Sequence, residues 1–175
     1  MKLSYRDIKY PRLEFRTGEL LMILPPGKNP EHLLIKYSGW IKEKEKFIQK
    51  SLAESKKKKL CKRSLNDLKT VVKNLIKDYS GELGVSSFRV SFRSMKSKWG
   101  SCSNYGNLVF NPDMKYLPKK LIAYIVLHEM AHMISRKHDL KFWQVVRLKF
   151  ENHRELEREL LGYWFKIKVN NKIII

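Results

Sequence analysis

The chain has 175 residues, 43% of them apolar and 11% aromatic, and its 37 Lys and Arg outnumber 17 Asp and Glu for a formal charge of +20. That apolar content excludes an intrinsically disordered chain, and the length suits one domain over 1–175 better than two. The cationic excess, densest at Lys56–Lys59, admits a nucleic-acid or other acidic partner, although a lysine-rich surface also serves solubility alone.

The first residues, MKLSYRDIKYPRLEF, lack the apolar run of a signal peptide. Residues 5–25 alternate with a period near two. Thr17-Gly18-Glu19 sits between Leu13-Glu14-Phe15 and Leu20–Leu24, so a hairpin and an antiparallel N-terminal β-ribbon are expected. Pro25-Pro26-Gly27 closes the ribbon. A helical stretch opening at Asn29-Pro30-Glu31 carries Trp40, Ile41, Phe47, Ile48 and Leu52 among many Lys and Glu, so much of it must face water. Cys61 and Cys102 show no C-x-x-C spacing, which excludes a disulfide framework and fits a reducing compartment.

The clearest amphipathic helix spans about Leu65 to Tyr79, with Leu65, Leu68, Val71, Val72, Leu75, Ile76 and Tyr79 at steps of three and four. Ser64 and Asp67 form its capping pair. Phe88–Phe92 and Asn107–Phe110 read as two strands of one small sheet, joined by a loop that holds Trp99-Gly100-Ser101-Cys102 and the turn Asn104-Tyr105-Gly106. Pro118 opens a helix expected to reach about Ile134. Its Leu121–Leu127 is the longest apolar stretch and far too short to cross a bilayer, so a soluble, cytoplasmic protein without membrane contact is expected. Asp139 caps a helix with Leu140, Phe142, Trp143, Val146 and Phe150, and a last helix from about His153 brings in Leu156, Leu160, Leu161 and Trp164. The tail, Lys166 to Ile175, reads equally as a strand or a frayed end.

Within LIAYIVLHEMAHMI, residues 121–134, every residue is apolar or tyrosine except His128, Glu129 and His132. A helix apolar all round is a buried helix. Leaving three hydrogen-bonding side chains there without partners costs about 1–3 kcal/mol each, and more for a charged glutamate. A metal ion compensates. Residues four apart on a helix lie about 40° from one another and about 6 Å along the axis, so His128 and His132 can converge on one ion. Glu129 then lies beside the ion, where a general base takes a proton from water activated to a pKa of roughly 7. Imidazoles select zinc-like ions over magnesium or calcium. His138 is the best third ligand, and Glu151 or Glu155 is the competing choice. The six-residue offset from His132 to His138 also occurs in the metzincin pattern, but Ser135 stands where that pattern has glycine, and no methionine follows Met133. Asp139 is a candidate partner for an imidazole N–H.

Arg93, Met95, Lys96, Trp99-Gly100-Ser101-Cys102, Asn107, Asn111, Pro118, the HEMAH run, His138, Phe142 and Trp143 occur in an order that resembles the YgjP-like metallopeptidases, relatives of the SprT-like zincins. The likeness is carried by Phe92 to Trp143 and extends less specifically to the amino-terminal ribbon. Lys137 and Glu151-Asn152-His153 depart from the common pattern of relatives. The resemblance implies an α+β fold: a zincin-like core with a small antiparallel sheet, an active-site helix carrying HEMAH and further packed helices. It divides the chain into a ribbon and helix in 1–60 and a catalytic core in 61–175. It also implies Zn²⁺ held by His128, His132 and His138, with Glu129 as general base. The strand at Gly106 to Asn111 is expected near an extended substrate, giving weak sequence choice and a preference for flexible or unfolded chains.

The leading expectation is therefore a zinc metallopeptidase acting on protein or peptide substrates by Glu-assisted attack of zinc-bound water. Tyr124 and Tyr163 are candidate phenolic donors. Two other classes are open: a DNA-associated protein-processing module, suggested by the +20 charge and the SprT-like relatives, and a metal hydrolase of a non-peptide substrate. A packed turn with a small buried thiol is the simplest reading of the Trp99–Cys102 segment.

Overall fold

The computed structural model describes residues 1–16, 19–85 and 89–172. Thr17 and Gly18 of the expected hairpin turn, Phe88 of the expected strand and residues 173–175 of the tail lie outside them. In chain order the elements are β1 (Lys2–Tyr5), β2 (Arg12–Arg16), β3 (Glu19–Leu24), α1 (Glu31–Lys36), α2 (Ser38–Ser55), α3 (Leu65–Leu83), β4 (Val90–Phe92), β5 (Gly100–Cys102) and β6 (Leu108–Phe110). A 3-10 turn at Pro112–Tyr116 follows, then α4 (Lys119–Ala131), α5 (Leu140–Arg147) and α6 (His153–Lys172). The mixture is α+β.

Two compact units emerge: Met1–Lys58 with the chain from Trp164 onward, and Lys59–Tyr163. In the first, β2 and β3 form the expected antiparallel hairpin, and β1 adds to β3 in parallel, so the ribbon is a mixed three-stranded sheet. Met22, Ile23 and Leu24 of β3 are fully buried. The single helix expected from Glu31 is two, α1 and α2, interrupted at Tyr37.

In the second unit, α3 begins where the sequence places it. Ser64 accepts from the Asp67 backbone N–H, and the Asp67 carboxylate accepts from the Ser64 N–H, the reciprocal pair that satisfies two orphan donors. The Ser64 hydroxyl bond, and after it the Ser64 backbone N–H bond, holds the Asp67 carboxyl below its ordinary pKa. Gly84, at φ 64, ends the helix in the left-handed conformation glycine adopts most readily. Replacing Ser64 by Ala should lower unfolding free energy by about 0.5–2 kcal/mol in a denaturant titration. An unchanged midpoint would show that the cap contributes nothing.

The expected antiparallel sheet is instead mixed, with order β4-β6-β5: β4 runs parallel to β6 and β5 antiparallel. The Gly100–Cys102 stretch expected as loop is therefore an edge strand. Leu108 and Phe110 of β6 enter a core with Leu68, Val72 and Ile76 of α3 and Leu121, Ile125 and Val126 of α4. Asn111 is fully buried, and its side-chain amide donates to the carbonyls of Met95 and Lys98. Those bonds tie the chain entering β5 to the end of β6. Among the described residues no helix is long and apolar enough to cross a membrane.

Candidate metal centre

Helix α4 is buried along most of its length because nearly every residue in it is apolar, and this carries His128 and Glu129 to the inner end of a cleft. It ends one residue before His132, which keeps right-handed helical angles at φ −67 and ψ −10, so the one-turn offset of the two histidines survives. Ser135 N–H then bonds the Ala131 carbonyl and turns the chain toward His138. Together with Glu129, the three histidines line a cleft of about 360 Å³.

One ligand atom from each of His128, His132 and His138 lies within 4.8 Å of the other two. Nitrogens about 2.0–2.1 Å from a tetrahedral zinc ion lie about 3.3–3.4 Å apart. His138 Nε2 and His128 Nε2 are 3.2 Å apart, which fits that edge. His132 Nδ1 lies 3.2 Å from the Ser135 carbonyl. A carbonyl only accepts, so this nitrogen carries the proton and Nε2 is left with its lone pair for a metal. Burial, then the charges of His138, His132 and His153, pushes His128 down to about 3. Burial also lowers His132 and His138, so all three rings favour the neutral form that ligates. The donor set fits an ion.

Glu129 is buried at 8% exposure, and burial raises its carboxyl to about 7 against the opposing pull of Lys98 and a hydrogen bond from the Cys102 backbone N–H. Such a group exchanges protons near neutral pH. Tyr124 lines the same cleft, and its hydroxyl donates to Glu157 at 3.1 Å. Burial, reinforced by Glu157, puts the phenol well above its ordinary pKa. Tyr163, the other expected donor, does not line the cleft; its hydroxyl donates to the Lys59 carbonyl at 3.4 Å.

Glu151 and Glu155 are exposed and line no part of the cleft, whereas Glu157, two residues further on, does. Asp139 does not reach an imidazole. It caps α5 through the Phe142 N–H and accepts from the Ser135 hydroxyl at 2.8 Å, so it steadies the residue whose carbonyl holds His132. His153 does begin a helix as expected, yet its ring is buried and stacks on Trp143 with centroids 4.4 Å apart. Trp143 in turn stacks on His138 at 5.7 Å and donates its indole N–H to the His138 carbonyl. Arg136 bonds the carbonyls of Ser103 and Asn104, joining the segment after His132 to the loop after β5.

Three convergent imidazoles beside a buried carboxylate, on an H-E-x-x-H helix that opens to a cleft, suit a metal-dependent hydrolase. Residues 14–162 match the family model described as YgjP-like, metallopeptidase domain. The chain belongs to the YgjP-like metallopeptidase family. It is similar to the metallopeptidase zymogen of Pyrococcus abyssi abylysin at 27% identity and a TM-score of 0.48, over 51% of this chain and 91% of that one. The metallopeptidase zymogen of Methanocaldococcus jannaschii jannalysin is 28% identical with a TM-score of 0.45, over 51% of this chain and 84% of the other. No curated protein sequence matches the chain.

Proposed function

We propose that the protein is a zinc-dependent peptidase that cleaves extended segments of flexible or unfolded proteins. The observation that carries this reading is the convergence of His128, His132 and His138 next to buried Glu129 in one open cleft. The three histidines would hold the ion. When bound, zinc supplies Lewis acidity that acidifies water and polarises a substrate carbonyl. Glu129 accepts the proton that the attacking water loses and delivers it to the departing amine nitrogen. Lys98 and the Cys102 N–H favour the charged carboxylate, while burial keeps its basicity high.

Substrate pairing belongs to β5. Strand β6, expected in that role, has β4 on one side and β5 on the other and offers no free edge. The Asn111 N–H bonds the Trp99 carbonyl and the Ser103 N–H bonds the Asn107 carbonyl, so Trp99, Ser101 and Ser103 face β6 and the backbone groups of Gly100 and Cys102 point outward. Lys98 to Cys102 also line the cleft. An extended peptide bonding the Gly100 N–H and carbonyl gains affinity without side-chain selection.

The test is hydrolysis of one protein in native and in permanently unfolded, carboxymethylated form, beside ester and phosphodiester substrates. Cleavage of the unfolded form, abolished by chelator and restored by zinc, is expected. Equal cutting of the folded form, or turnover indifferent to chelator, would sink the proposal.

A further inference from the structure

Gly100 sits in β5 directly over the Glu129 side chain. A Cβ built there would lie 2.7 Å from Glu129 Cγ, 2.9 Å from Oε1 and 3.0 Å from Cδ. Its φ is not in the left-handed region, unlike those of Gly27, Gly84 and Gly106, so the backbone does not require glycine at this position. Glycine is required for space. Two residues on, the Cys102 backbone N–H points away from β6 by the alternation of the antiparallel ladder, on a strand that lines the same cleft as Glu129.

We propose that β5 is the clamp that positions the Glu129 carboxylate, with Gly100 providing the slot for its stem and the Cys102 N–H holding its head. The clamp is itself fixed. Its start is held by the Asn111 backbone bond to Trp99 and side-chain bond to Lys98, and its end by the bond of Ser103 to Asn107. The function of Trp99-Gly100-Ser101-Cys102 is then to bring a side-chain-free backbone against the buried carboxylate, and the Cys102 thiol takes no part. Gly100 acts through Glu129 and is a positioning residue. This inference rests on Glu129 serving as the base, but its structural half can be measured without any turnover.

The experiment is a double-mutant cycle with Gly100→Ala, Glu129→Ala and the pair, followed by thermal unfolding of metal-free protein. Gly100→Ala should lower Tm by several degrees in the wild-type background and leave it unchanged where Glu129→Ala has removed Cγ, Cδ and Oε1. If Gly100→Ala alone fails to fold, the double variant should fold. An equal loss of Tm in both backgrounds, or a double variant that also fails to fold, overturns the clamp. In zinc-loaded protein, Gly100→Ala should lower kcat on the order of 100-fold, the scale of a misplacement near 1 Å, with KM and metal stoichiometry unchanged. An unchanged kcat, or a loss that tracks loss of metal, also overturns it. Absence of peptidase activity in every form would refute the proposed function while the Tm cycle still decides the clamp.

Discussion

Glu129→Gln is expected to lower kcat by about 10²–10⁴-fold, the usual contribution of a positioned general base, while the zinc content of the protein stays at the wild-type level. The substitution is isosteric, so the variant carboxamide occupies the same slot beneath Gly100 and its oxygen can still accept from the Cys102 N–H. What disappears is the capacity to take a proton. The side chain is adjacent to His128 but is not among the residues whose ligand atoms cluster, so the metal should be retained. Steady-state kinetics and elemental analysis on the same preparation check both halves. Full activity in the variant would remove Glu129 from the chemistry. Loss of zinc together with activity would mean that the carboxylate supports the ion and is not a separate base.

The parts of this site that were legible in sequence are those with a local signature. Histidines four apart in an otherwise apolar helix announce themselves, because neither their spacing nor their burial has an ordinary explanation. The Ser64–Asp67 cap is legible for the same reason: the interaction spans three residues. His138 lies in a segment without regular periodicity, so only its offset from His132 and the family resemblance point to it. Its geometry comes from contacts across the sequence: the turn at Ser135 and the indole of Trp143.

Strand β5 was not legible. It has three residues, one of them glycine, and no apolar alternation, so propensity reads it as loop; it becomes a strand only because Leu108–Phe110 lies alongside to pair with it. The same omission hid the parallel pairing of β4 with β6, because a connection containing a third strand looks like one long loop. Glu157 was missed amid the charges of HRELEREL. A signal existed, since Glu157 stands four residues after His153 and three before Leu160, both buried, and so lies on the side of α6 that borders the cleft, while Glu155 does not. The break at Tyr37 leaves no comparable trace, because the charged and apolar pattern runs through it from Glu31 to Ser55.

His138→Ala should reduce zinc affinity by far more than the 10–100-fold typical of losing an outer partner of a ligand, and should abolish hydrolysis with it. The His138 ring is exposed, so its position depends less on enclosure than on Trp143, which stacks on the ring and bonds the residue's carbonyl. Removing the imidazole leaves His128 and His132, one fewer than the three protein ligands of an ordinary catalytic zinc site. The glutamates supply the contrast. Glu151→Ala should leave affinity unchanged, since that side chain is exposed and outside the cleft. Glu157→Ala should also retain the ion, because its carboxylate is engaged by the Tyr124 hydroxyl and lies outside the histidine cluster. Competition titrations against a chelator, run on all three variants, separate two ligand sets. If His138→Ala binds zinc as tightly as wild type while Glu157→Ala does not, the third ligand is a carboxylate from α6, and the 3.2 Å approach of the His128 and His138 nitrogens has no role in holding the ion.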